Sequence, residues 1–213
     1  MIISGGTANS GAQPVTITCP ACGRAGNFES IDSKDWKVGH CWVSHRQCPH
    51  PDCRTYVLAF LTHRSPRDDA EVIECYPPQR IDFDTTGIPD GVVESFEEAI
   101  TCHANNCYVA SGIMVRRTLE EICDEENAEG SNLWSRIEDL RDQITVPEEL
   151  LDGMHDIRLL GNDAAHIEAR TYKDVGKEEV EVAIAFTKEI LKAIYQYEEL
   201  LSQLQSLQTD SDD

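Results

Sequence analysis

The sequence predicts a mainly α-helical protein with a small β-rich unit at its start, and three observations carry that prediction. Two cysteine pairs, Cys19/Cys22 in "CPACG" and Cys48/Cys53 in "CPHPDC", stand among short runs that read as strands. From Pro89 onward the apolar residues recur at steps of three and four, the period of an amphipathic helix. The charge changes between the same regions. Residues 1–66 carry six Lys and Arg against four Asp and Glu, and the remainder carries twelve against thirty-five, for a net charge of −21 over 213 residues.

A hydrophobic content of 40% is ordinary for a folded soluble chain. The opening "MIISGGTANSGAQPVT" has no basic segment followed by an apolar run, and no eighteen consecutive residues are apolar, so a cytoplasmic protein with no membrane contact is expected. Without an export signal, the nine cysteines point to metal binding and buried thiols rather than to disulfides. So acidic a surface repels bulk nucleic acid, which leaves either a local nucleic-acid contact or a basic protein partner.

Taken in order, "VTIT" precedes the first cysteine pair, "HCWVSHRQC" leads into the second, and "TYVLAFLT" follows it; each reads as a strand. Residues 1–66 therefore form the cysteine-bearing unit with a flexible start. Prolines, glycine and charges break the pattern over residues 67–88, the expected linker, where "EVIECY" is a candidate strand. Residues 89–208 form the bundle. Its helices are "VVESFEEAITCHA", "NCYVASGIMVRRTLEEICDE", "SNLWSRIEDLRDQI", "PEELLDGMHDIRLLGNDAAH", and a long last one from Lys177 to Gln205. That last helix places Val180, Ile184, Thr187, Leu191, Ile194, Tyr197, Leu201 and Leu204 on one stripe. Residues 209–213, "TDSDD", are an acidic tail.

Four thiolates delivered by two tight turns can close a tetrahedron around Zn²⁺, and the metal then replaces a core that so few residues cannot build. Cys19, Cys22, Cys48 and Cys53 are the expected ligands of one structural zinc ion. Four thiolates saturate such a site and leave no open coordination position for catalysis. Nearby His40, Cys41, His45 and His50 are weaker rivals. Around the metal, Arg24, Lys34, Lys37, Arg46 and Arg54 offer cations for docking to nucleic acid or protein, unless the unit serves stability alone. His103 and Cys107, four apart, read as core, and Cys75 and Cys123 read as buried small hydrophobes.

The stretch "IRLLGNDAAH", residues 157–166, carries the strongest functional pattern in the bundle. On a continuous helix Arg158, Asn162 and His166 fall on one polar stripe beside an apolar stripe of Ile157, Leu160, Ala164 and Ile167. Gly161 and Ala165 lie between the stripes, where small residues let another backbone approach. A structural alternative is that "GN" stops the helix and that Arg158 pairs with Glu120 or Asp163. Arg116 and Arg117 read as ion-pair partners within the bundle.

Taken in order, "FEEA", "RRTLEEI", the helix around "LWSRIEDL", "TVPEEL" and "IRLLGNDAAH" resemble the domain of unknown function 4145 family over roughly residues 89–200. The preceding cysteines and "CYPP" also occur in such proteins. That family is similar to the HEPN group of helical bundles, many of them metal-independent ribonucleases of defence or stress systems and others binding modules. The resemblance implies a HEPN-like fold that binds or cleaves RNA, with Arg158 and His166 from two copies meeting at one phosphate of a symmetric homodimer. In that chemistry His166 takes the 2′-OH proton, Arg158 stabilises charge at phosphorus, and Asn162 orients the imidazole or the phosphate. The HEPN signature has a shorter Arg-to-His gap than the seven residues found here. The rival classes are a non-catalytic protein-interaction module and an acidic nucleic-acid mimic.

Overall fold

The computed structural model describes residues 7–10, 14–31, 34–62, 71–165 and 175–209. They divide into two compact units, the first ending at Asp82 and the second beginning at Phe83.

In the first unit, alternating sequences produce strands β1 (Thr7–Ser10), β2 (Val15–Thr18), β3 (Ala25–Ser30), β4 (Lys34–Val38), β5 (Cys41–Gln47), β6 (Tyr56–Thr62) and β7 (Glu71–Tyr76). All their pairings are antiparallel, and β5 is the hub, meeting β3, β4 and β6. The period of two is legible in β6, where Val57, Ala59 and Leu61 are buried and Tyr56 is exposed. These three join Val15, Ile17, Phe28, Cys19, Cys48 and Cys75 in one small core.

The segment expected to be a linker is strand in part. Cys75 pairs opposite Ala59 and Val72 opposite Leu61, with a register shift between Phe60 and Leu61 that lets both Val72 and Cys75 reach the core. Arg46, expected to be a docking cation, is fully buried instead. Its guanidinium donates to Ser44 Oγ at 2.7 Å, to the Phe28 carbonyl at 2.9 Å and to both Asp35 oxygens at 3.1 Å, tying β3, β4 and β5 together. The strand period sends it inward together with Ser44, and the paired carboxylate makes that burial tolerable.

The second unit is helical: α1 (Asp90–Ala104), α2 (Tyr108–Glu125), α3 (Leu133–Gln143), α4 (Glu148–Ala165), α5 (Lys177–Leu191) and α6 (Tyr197–Thr209). Helix α2 is the central element, packing against α1, α3, α4 and α5 through a face that includes Val115, Leu119, Ile122 and Cys123. Asn132 caps α3 by accepting from the Ser135 backbone N–H, and Glu179 does the reciprocal part for α5 by accepting from Gly176 N–H. Among the described residues no helix is long and apolar enough to cross a membrane.

The long last helix is interrupted by a π turn, Lys192–Gln196, between α5 and α6. The wider turn aims Gln196 Nε2 at the carbonyls of Asp84 and Thr86, 3.1 Å from each. It also inserts about one residue, or roughly 100° of phase, into the stripe expected to run through Leu204. The buried face ends at Ala193; every described side chain from Leu200 to Ser206 is exposed, and Tyr197, Leu201 and Leu204 are exposed rather than packed.

Gly161, expected at a seam between two chains, is used within one. A Cβ on Gly161 would lie 2.4 Å from Arg116 Cβ and 3.0 Å from the Gly112 carbonyl oxygen, so α4 meets α2 there almost backbone to backbone. Gly161→Val is expected to cost about 1–3 kcal/mol of stability in chemical denaturation, through overpacking at this contact. Ala165 is exposed, and Ala165→Glu should leave the denaturation midpoint nearly unchanged.

Candidate functional site

Two places concentrate chemistry, one in each unit. In the first, Cys19 follows β2, Cys22 closes the turn after it, and Cys48 and Cys53 flank the turn between β5 and β6. Backbone bonds shape both turns: Gly23 N–H to the Cys19 carbonyl at 2.9 Å, and Cys53 and Arg54 N–H to the His50 carbonyl at 3.1 Å each. Each turn ends on a left-handed residue, Gly23 at φ 70° and Arg54 at φ 54°. The four sulfur atoms all lie within 4.8 Å of one another, with Cys19–Cys53 at 3.7 Å and Cys22–Cys48 at 3.9 Å. A disulfide needs about 2.05 Å, whereas a tetrahedron built on thiolate–metal bonds of about 2.3 Å has edges near 3.8 Å. All nine cysteines are free thiols.

The thiols cannot all ionise by themselves. Burial pushes Cys48 up to about 12 and raises Cys19, while hydrogen bonds from Thr55 pull Cys53 down to about 6. A dication at the centre supplies the positive charge that four adjacent thiolates need, so the donor set fits a tetrahedral metal ion. His40, Cys41, His45 and His50 stand outside this group; His45 instead stacks on Tyr56 with centroids 5.4 Å apart.

In the second unit, α4 runs unbroken through Gly161 and Asn162 to Ala165, so "GN" does not stop it. Arg158 and Asn162 therefore share a face, as the spacing predicts. His166 lies outside the described residues. The Gly161 contact brings Arg116 of α2 against α4, and Arg116 NH1 donates to the Arg158 carbonyl at 3.2 Å. Arg116 is paired with Glu120 at 3.2 Å and Arg117 with Glu121, as expected of bundle ion pairs. Arg158 takes neither Glu120 nor Asp163. Its Nε is buried without a hydrogen-bond partner among the described residues. Burial, and then the neighbouring Arg116 charge, lowers its pKa, yet a guanidinium keeps its charge throughout the physiological range. Arg116 and Arg158 are thus neighbours, the first ion-paired with Glu120 and the second without an ion pair among the described residues.

Cys75 and Cys123 are buried, as expected of cysteines without a partner in the sequence. His103 and Cys107 do not share a helix: α1 ends at Ala104, and Cys107 is the exposed residue before α2. The turn at Asn106, with φ 60°, breaks the spacing of four. Sequence reasoning also missed a polar knot between α3 and α4. There His155 Nε2 lies 2.7 Å from Glu138, the Trp134 ring lies 5.9 Å from that of His155, and Arg141 meets Glu148 and Asp152 at 3.0 Å each. These partners lie up to twenty-one residues apart on different helices, so no local spacing signals them.

Fold and sites together define a class of protein, a four-thiol β-unit followed by a helical bundle with Arg116 and Arg158 beside the close contact of α2 with α4. Residues 97–208 match the family described as Domain of unknown function (DUF4145), just over half of the chain, and the chain belongs to that family. None of the curated proteins and none of the solved structures matches it.

Protein purified without chelator is expected to carry one equivalent of a thiolate-binding metal. Cys48→Ser should lose that metal and the dispersed amide signals of the first unit while keeping most of the helical circular dichroism, because the bundle has its own core. Wild-type protein without stoichiometric metal would contradict the assignment.

Proposed function

We propose that this protein binds RNA and cleaves it without a metal in the reaction, through a HEPN-like bundle that carries a structural zinc ribbon. The observation that carries the reading is Arg158, a half-buried cation beside Arg116, with an unmatched Nε and no ion pair among the described residues. Arg116 already has Glu120, whereas Arg158 lies in the field of Arg116 with no ion pair of its own among the described residues, and an anion at Arg158 relieves that imbalance. In a chain of net charge −21, retaining such a pair favours a ligand that brings its own negative charge, and a phosphodiester does so.

In this reading Arg158 holds the phosphate and stabilises the charge that develops on phosphorus. Arg116 steers the anion and shares the load. Asn162, one turn along α4, binds phosphate or orients the base, and His166 takes the proton from the substrate's 2′-OH. Oxygen O2′ attacks phosphorus, the 5′ oxygen of the next nucleotide leaves with a proton, and a 2′,3′-cyclic phosphate remains. Zn²⁺ on Cys19, Cys22, Cys48 and Cys53 supplies fold stability to the ribbon and takes no part in the cut. A cytoplasmic role in defence or stress is the context that the HEPN-like reading brings with it.

The experiment is cleavage of single-stranded RNA in EDTA, followed by identification of the 3′ end. Wild type is expected to leave a 2′,3′-cyclic phosphate. Arg158→Ala and His166→Ala should each lower the rate roughly 100- to 1,000-fold with the melting temperature unchanged. Arg158→Ala should also weaken RNA binding and flatten its dependence on salt by about one counterion. Variants that cut as fast as wild type, or wild type that neither binds nor cuts RNA, would overturn the reading.

A further inference from the structure

Helix α6 carries an apolar stripe that the bundle does not cover. Tyr197, Leu200, Leu201 and Leu204 follow one another at steps of three, one and three, the spacing of a packed helix face, and are 53–58% exposed. Single exposed leucines are normal on a protein surface, but four on one stripe of one helix mark an interface. Every described side chain from Leu200 to Ser206 is exposed, so α6 runs past the bundle and, among the described residues, nothing packs over the stripe.

We infer that this stripe is a self-association surface, on which α6 of a second copy packs. Charge selects the occupant. Residues 200–209, "LLSQLQSLQT", contain no charged residue, in a chain of net charge −21. A basic partner would be drawn to carboxylates, which this stripe lacks. Two copies of so acidic a protein repel across most of their surfaces, and along α6 they do not.

At the foot of α6 a cleft of about 240 Å³, lined by Asp84, Thr86, Gln196, Leu200 and Gln203, offers room for an apolar side chain from the second copy. A thirteen-residue helix is about 20 Å long and covers roughly 400–500 Å² per copy, at the low end of specific interfaces, so association belongs in the micromolar range.

Sedimentation velocity of the full chain from about 1 to about 100 µM tests this. The expected result is a monomer that becomes a dimer as concentration rises, with association strengthened by added KCl because salt screens the acidic repulsion. The double variant Leu201→Glu, Leu204→Glu should raise the dissociation constant at least about 100-fold while far-UV circular dichroism and the melting temperature stay at wild-type values, since both side chains are exposed. Ala165→Glu, on α4, should dimerise as wild type does. Wild type that stays monomeric, a double variant that still dimerises, dissociation by salt, or loss of the dimer in Ala165→Glu would each overturn the inference. None of these outcomes depends on RNA cleavage, so the two proposals stand or fall separately.

Discussion

The close contact of α2 with α4 is the constraint on which the chemistry of the bundle depends. Gly112 and Gly161 leave no side chain between the helices, so the carbonyl of one faces the backbone of the other, and Ala164 packs beside them against Gly112. Helices normally pack 8–10 Å apart, and closer approach needs small residues at the contact. Once the axes are that near, the long side chains flanking the contact have little freedom, and Arg116 and Arg158 are held together whatever their mutual repulsion. The like-charge pair is thus a product of packing, and packing is also what keeps it available to an anion.

The two units solve the problem of size differently. The first has a core of about nine small or medium side chains, which is too little apolar surface to order so many strands and turns by burial alone. A buried, fully bonded Arg46–Asp35 pair and four convergent thiols supply the remaining specificity. The second has helices long enough to bury complete faces and needs neither device. Its costs appear at the surface, where Arg141, Arg136 and Arg117 are engaged by carboxylates and leave few cations for a ligand.

Much of this was legible in the sequence where the signal is local. The cysteine spacing brought the four thiols to one point, and the helical period placed α1 to α5 close to where they are. Arg158 and Asn162 share a helix face because α4 is continuous across them, although "GN" also allowed a stop. What was not legible depended on contacts between distant segments. Arg46 looks like any surface cation until β4 brings Asp35 against it. Gly161 looks like a seam for a partner until α2 is seen to occupy it. The stripe through Tyr197, Leu201 and Leu204 looks like core until α6 is seen to run past the bundle, and no residue of "KAIYQ" signals the π turn before it locally.

The most direct test of the account is the side-chain NMR signal of Arg158 Nε–H, followed as single-stranded RNA is added to the full chain. The account predicts that the Arg158 and Arg116 signals shift together and saturably, with one dissociation constant, while those of Arg136 and Arg141 stay in place. Signals at Arg158 and Arg116 that remain fixed while RNA shifts residues of the first unit, such as Arg24 and Arg54, would contradict it and move the nucleic-acid contact to the ribbon.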